Sequence, residues 1–277
     1  MKSPQPQVSE AEHDLSAEEA HQKARHEELY RLERGTVAAY SPHDWQKFDA
    51  IRSPIEPYSA SVLRLGDVRG KYVLDLGCGD GWFSVLLAKR GARVFGCDIS
   101  EEAIVTARER ARVNGVLEQC TFSACSAYEL PCEDSSFDIA AGHAILHHLE
   151  DKARTAQSIY RVLKPGGIGV FREPFGNSLM LERMRLLVPV PSMSDDPGEW
   201  KMQFKYSDLA PFRALFDVEV EEWQLVSRLD RLFKSARAKE ALWRFDVGLL
   251  KYNKWLRRYA RAILVKLKKP VAQNATG

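Results

Sequence analysis

Val73-Leu74-Asp75-Leu76-Gly77-Cys78-Gly79-Asp80-Gly81 is a short apolar run that breaks into three alternating glycines. The run Tyr72–Leu76 has the length and composition of a buried strand, and Trp82–Lys89 after the glycines has the composition of a helix. Glycine permits a tight turn and close approach of a ligand to the main chain. The following helix N-terminus offers free N–H groups. A strand–glycine turn–helix unit suits nucleotide-like ligands in general. The dinucleotide spacing G-x-G-x-x-G would need glycine at position 82, where Trp82 stands. Asp98 ends the next apolar run, Ala92–Cys97, nineteen residues after Gly79. A carboxylate there can accept both hydroxyls of a ribose; the alternative is a cap for the next helix beside Ser100.

Outward from this centre, apolar runs and helical stretches alternate. Helix is expected over Glu101–Val113, with Ser100 as N-cap, and over Glu150–Leu163. Strands are expected at Gln119–Ala124, Phe137–Ala141 and Ile168–Arg172. Continuous rather than alternating apolar runs fit strands covered on both faces. The fold class is therefore α/β: a Rossmann-like, mostly parallel sheet with helices on both faces. An N-terminal helix is expected from Ser16 to about Arg34, with Glu19 three residues after its cap. A short helix at Ser207–Phe216, a strand within Asp217–Leu229 and helix over 231–258 follow. Ala262–Leu267 reads as a last strand or as continued helix.

The expected organisation is a disordered tail at 1–15, an N-terminal helical segment at 16–70 and a nucleotide-binding core at 71–173. A cap insertion at 174–205, a C-terminal part of the sheet with a basic helical insertion at 206–270, and a tail at 271–277 complete it. The 277 residues carry 40 Lys/Arg and 38 Asp/Glu, a net charge of +2, so no global field argues for nucleic acid. Residues 228–269 nevertheless hold 14 Lys/Arg against 3 Asp/Glu, a net of +11. Peripheral contact with anionic lipid through 231–258, phosphate contacts, a dimer seam and a helix packed on the domain all fit that pattern. Five cysteines without a C-x-x-C pair fit reduced thiols in a cytoplasmic protein, and no metal site is expected. No uncharged apolar stretch is long enough to cross a membrane.

Five segments in order resemble motifs of class I S-adenosylmethionine-dependent methyltransferases. They are VLDLGCGDG at 73–81, Cys97-Asp98-Ile99-Ser100, Leu130-Pro131 with Ser136-Phe137-Asp138, His143–Leu149, and Arg161-Val162-Leu163-Lys164-Pro165-Gly166-Gly167. The nearest likeness is to small-molecule enzymes of the quinone-biosynthesis and natural-product type. The resemblance implies a sheet of seven strands, S-adenosyl-L-methionine as cofactor and a small acceptor, apolar or aromatic, methylated on O, N or C. It implies that Asp75 and the backbone of Gly77, Cys78 and Gly79 hold the methionine moiety, and that His143 lies near it. It implies Asp98 on ribose, Ile99 on adenine, and Ser126 and Ala127 beside the adenine amino group, where many relatives carry Asp in place of Ser126. A catalytically silent cofactor-binding partner and an RNA or protein methyltransferase guided by the basic region are the competing functions.

The cofactor carries its own activation, so a base is needed only where the acceptor must lose a proton. His147 and His148 are the candidate bases; the alternative is an imidazole that caps or packs at a helix start. Glu173, ending the fifth expected strand, either orients a substrate hydroxyl or amine or accepts a backbone N–H from the cap insertion. Trp45, Phe175, Trp200, Phe204 and Tyr206 flank the expected site as acceptor-pocket aromatics or as ordinary core.

Overall fold

A computed structural model describes residues 17–33, 36–41, 44, 57–176 and 203–271. The expected tails, most of the cap insertion, Trp45 and Trp200 lie outside the described residues. Strand β1 (Tyr72–Leu76) runs centrally and pairs in parallel with β2 (Arg93–Asp98) and β4 (Phe137–His143). β3 (Cys120–Ala124) pairs with β2, and β5 (Leu163–Pro174) with β4, again in parallel. β7 (Ala262–Lys268) lies antiparallel between β5 and β6 (Asp217–Trp223), which gives the order β3-β2-β1-β4-β5-β7-β6. The expected seven-stranded, mostly parallel sheet is what the chain forms.

Two apolar layers clothe it. One face packs α2 (Pro57–Arg64), α3 (Trp82–Lys89) and α4 (Glu101–Val113) over Val73, Ile139, Val170 and Leu264. The other packs α5 (Lys152–Val162) and α6 (Ala210–Arg213) over Leu74, Phe137, Phe171 and Ile263. Successive strand residues alternate between these layers, so both registers are apolar and the strands read as unbroken hydrophobic runs. α1 (Ala17–Glu33) stands outside both layers and meets the N-terminal end of α4.

Capping sets the boundaries. The Ser100 side chain accepts from Ala103 N–H as expected, and the helix expected from Glu150 starts at Lys152, where Asp151 caps it by accepting from Ala153 and Arg154 N–H. The expected helix over 231–258 is three pieces: a 3-10 turn at Ser227–Leu232, α7 (Ala236–Tyr252) capped by Ser235, and a 3-10 turn at Lys254–Tyr259. Ala262–Leu267 is strand, not continued helix, because Arg261 already donates to Trp223 in the sheet. None of the five cysteines is in a disulfide, and all but Cys125 are buried. No helix among the described residues is long and apolar enough to cross a membrane.

Candidate active site

The three glycines adopt left-handed φ values, +65° at Gly77, +51° at Gly79 and +78° at Gly81. A Cβ at Gly77 would lie 2.6 Å from the Ile145 side chain, and one at Gly79 would lie 2.5 Å from the Tyr30 hydroxyl. The turn is thus pressed from one side by the segment after β4 and from the other by α1. Cys78 points its buried thiol inward, and its N–H donates to Cys97 O at 2.9 Å. What the turn leaves toward its ligand side is main chain.

Asp98 sits beside the turn, at the C-terminal end of β2. Its carboxylate accepts Gly79 N–H and Ser100 N–H, each at 3.0 Å. Burial pushes its pKa up, while the amides of Ser100 and Gly79 and the nearby His26 pull it back. A carboxylate offers about four lone-pair sites, so two anchored contacts leave capacity for sugar hydroxyls. Both readings of Asp98 coexist, since a helix-start contact and a ligand-facing acceptor share one group. Asp75 is different. It is fully buried, accepts the Ser84 hydroxyl at 2.6 Å, and is raised by burial to about 7. Its side chain braces the start of α3 beneath the turn and sets the glycines' position from below.

Ser126 lies buried just past β3. Its hydroxyl donates to the buried carboxylate of Glu19 in α1 and accepts Tyr128 N–H at 3.1 Å. Ala127 is half-buried against the core, and Ile99 is half-exposed beside Asp98. His143 contacts the Ser61 hydroxyl at 3.2 Å and packs against Phe83 and Trp82. Burial, with Arg172 nearby, holds its imidazole down to about 3, so it is neutral at ordinary pH.

The segment after β4 is a 3-10 turn at Leu146–His148. Glu173, with no exposed surface, organises it: the carboxylate accepts N–H groups of Ile145, Leu146 and His147 at 3.1, 2.9 and 3.2 Å. Its Oε2 also meets His147 Nδ1 at 2.7 Å. A carboxylate on Nδ1 fixes the tautomer with the proton there and leaves Nε2 as the basic nitrogen. Of the two expectations for Glu173, the geometry gives the backbone one, although the N–H groups belong to residues 145–147 and not to the cap. The His148 ring lies tilted by 39° against His147 with centroids 3.9 Å apart, and burial lowers its pKa to about 2. Between the two histidines, only His147 has an orienting carboxylate.

The N-terminal helix expected from Ser16 to about Arg34 is α1, Ala17–Glu33, but its place at the site was not legible in the sequence. Glu19, Lys23, His26, Glu27 and Tyr30 recur at helical spacing and face the crevice. Glu19 meets Ser126; Lys23 pairs with Glu101 at 2.8 Å; Glu27 accepts Glu101 N–H at 2.7 Å. His26 lies edge-on to His148 and stacked on Tyr30. The signal was a polar stripe with no apolar periodicity, which by itself reads as a solvated helix.

The residues brought together are a glycine turn, an adjacent carboxylate, a buried serine and an oriented imidazole, at the C-terminal ends of β1–β5 beneath α1. A family model described as a methyltransferase domain matches residues 74–171. An O-methyltransferase, rstn1, of Aspergillus nomiae is 33% identical over 157 residues, covering 54% of this chain and 70% of that protein. The chain belongs to the S-adenosylmethionine-dependent methyltransferase family. A ubiquinone biosynthesis O-methyltransferase of Neisseria meningitidis is 30% identical over 153 residues, covering 51% of this methyltransferase and 63% of its relative. The chain spans 38% to 59% of the length of other curated relatives it matches, among them a tRNA 5-carboxymethoxyuridine methyltransferase of Escherichia coli at 29% identity. The solved structure of a geranyl diphosphate C-methyltransferase from Streptomyces coelicolor overlays with a TM-score of 0.60 at 14% identity, covering 93% and 100% of the two chains. That likeness concerns the fold.

Proposed function

We propose that this methyltransferase transfers a methyl group from S-adenosyl-L-methionine to a hydroxyl oxygen of a small, largely apolar acceptor. The cofactor supplies a methyl on a sulfonium, which is a good leaving group. The backbone of Gly77–Gly79 lies along its methionine end, where main-chain carbonyls accept from the ammonium, since the Cys78 and Gly79 N–H groups are taken by Cys97 O and Asp98; Asp98 also accepts from the ribose. Ser126 and Ile99 flank its adenine, and Glu19 brings to that end the carboxylate that position 126 lacks. α1 closes over the crevice and excludes water, since its Tyr30 and His26 lie against Gly79 and His148.

His147 takes the acceptor's proton on Nε2, and Glu173 stabilises the imidazolium that results. Glu173 acts through His147 and is a positioning residue. The single observation behind an oxygen acceptor is this buried carboxylate–imidazole pair at 2.7 Å. A hydroxyl must lose its proton on methylation, and an oriented base contributes about 10²–10⁴-fold to such a step. Two of the relatives above are named as O-methyltransferases.

The test is a methyl-transfer screen against phenols, enols and aliphatic alcohols, with thiols and amines in parallel. Transfer to hydroxyl acceptors that drops by about 10² or more in His147→Gln, with S-adenosylhomocysteine affinity unchanged, supports the reading. Transfer only to amines or thiols, insensitive to His147→Gln, contradicts it.

A further inference from the structure

The segment joining β6 to β7 is held firmly on its inner side. Buried Asp246 of α7 accepts Leu225 N–H at 3.0 Å, Val226 N–H at 2.7 Å and the Ser227 hydroxyl at 2.8 Å. Leu250, one helical turn on, is buried beside it. The outer side is uncovered among the described residues. Of the ten large apolar side chains exposed among the described residues, six lie between Leu229 and Trp255, so the exposure is localised and not scattered. Leu232 is 71% and Tyr252 81% exposed.

These side chains lie beside a basic row. Phe245 and Tyr252 are seven residues apart on α7 and share a face. Arg237, Arg244 and Lys251 repeat at the same interval one position earlier, and all three are exposed. The Lys251 ammonium stands 5.6 Å from the Tyr252 ring centre, and the Arg258 guanidinium 5.4 Å from that of Trp255. Residues 228–258 hold ten Lys/Arg against three Asp/Glu, and one of the three is the internal Asp246. Both ends of the segment meet the sheet where Ala262 pairs with Trp223 and Pro174, the edge at which the crevice opens.

We propose that this face is a docking surface for an anionic phospholipid bilayer, with Leu232, Phe245, Tyr252 and Trp255 entering the headgroup region and Arg237, Lys251 and Arg258 facing lipid phosphates. An apolar row flanked by Lys and Arg is the pattern of a helix lying in the membrane interface. Charge complementarity selects anionic lipid. The aliphatic members argue against nucleic acid as the occupant. Bases stack on aromatic rings, whereas an exposed leucine such as Leu232 gains nothing from a base and is stabilised by acyl chains. The inference stands independently of the proposed acceptor, because it concerns a surface and not the crevice.

The test is co-sedimentation of the full chain with phosphatidylcholine vesicles, with and without phosphatidylglycerol, alongside a single-stranded RNA titration. Binding is expected to the anionic vesicles only and to weaken with salt. Each of Arg237→Gln, Lys251→Gln and Arg258→Gln should lower partitioning about fivefold. The combined Phe245→Ser, Tyr252→Ser and Trp255→Ser variant should lower it further while leaving the far-UV spectrum and S-adenosylhomocysteine affinity unchanged. Equal partitioning to neutral and anionic vesicles, none to either, or salt-sensitive RNA binding by a chain that ignores anionic vesicles would each overturn the proposal.

Discussion

Replacing Glu173 with Gln changes one atom and should reverse the chemistry of His147. The carboxylate receives four donors: three backbone N–H groups and His147 Nδ1. The glutamine carbonyl can keep the Ile145 and Leu146 amides, which share Oε1. Its amide nitrogen would then face His147 N–H and Nδ1, donor against donor. Relief comes if the imidazole moves its proton to Nε2 and accepts the glutamine N–H on Nδ1, which leaves His147 N–H unsatisfied. An orphaned buried donor costs about 1–3 kcal/mol, and lost charge assistance adds a comparable amount, so stability should fall by about 2–6 kcal/mol. Nε2, now a donor, can no longer take a proton, so kcat should fall by about 10²–10⁴. The readout free of any acceptor is the ¹⁵N spectrum of the imidazoles. The native chain should show His147 protonated on Nδ1, and Glu173→Gln should show it on Nε2, with S-adenosylhomocysteine affinity held within about twofold. A native His147 already protonated on Nε2, or an unchanged tautomer in the folded variant, would refute the reasoning.

Asp98→Ala should weaken S-adenosylhomocysteine by at least about tenfold, or about 1.4 kcal/mol, in calorimetric titration; unchanged affinity would remove Asp98 from the site. Glu19→Ala should weaken S-adenosylhomocysteine about tenfold yet leave its inosyl analogue, which lacks the exocyclic amine, nearly unaffected, since a charge-assisted hydrogen bond contributes about 1.5–3 kcal/mol. Equal losses for the two ligands would reduce Glu19 to a structural contact with Ser126. Burial raises Asp75 from 3.8 to about 7, so its favourable contribution is complete below about pH 4 and disappears as pH rises through about 7. Asp75→Asn should therefore flatten the fall in Tm between about pH 4 and pH 8, by up to about 4 kcal/mol of stability, and an unaltered slope in the variant would contradict that assignment.

The parallel core was legible because its causes are local. Tyr72–Leu76 and Arg93–Asp98 are covered on both faces and so read as apolar runs, and Gly77 and Gly79 announce backbone that other residues adopt poorly. Ser100 as a cap was equally visible, because its contact lies three residues away. The Glu173–His147 pair spans 26 residues, and the Glu19–Ser126 contact spans 107. No spacing rule reaches so far; only the strand order β4-β5 and the docking of α1 bring those groups together. The helix at 231–258 was read as continuous because its apolar repeat runs on past Tyr252, while the backbone at Asn253, φ −120° and ψ 80°, interrupts the ladder.

Calorimetric titration of the unaltered chain with S-adenosyl-L-methionine and S-adenosylhomocysteine bears most directly on the central claim. One saturable site of 1:1 stoichiometry is expected for each ligand, lost together in Gly77→Val, where a branched side chain would have to adopt φ +65° with its Cβ 2.9 Å from the Ile145 Cβ. A folded native chain that releases or absorbs no heat with either ligand, and shows no shift in Tm at millimolar concentration, would contradict the account.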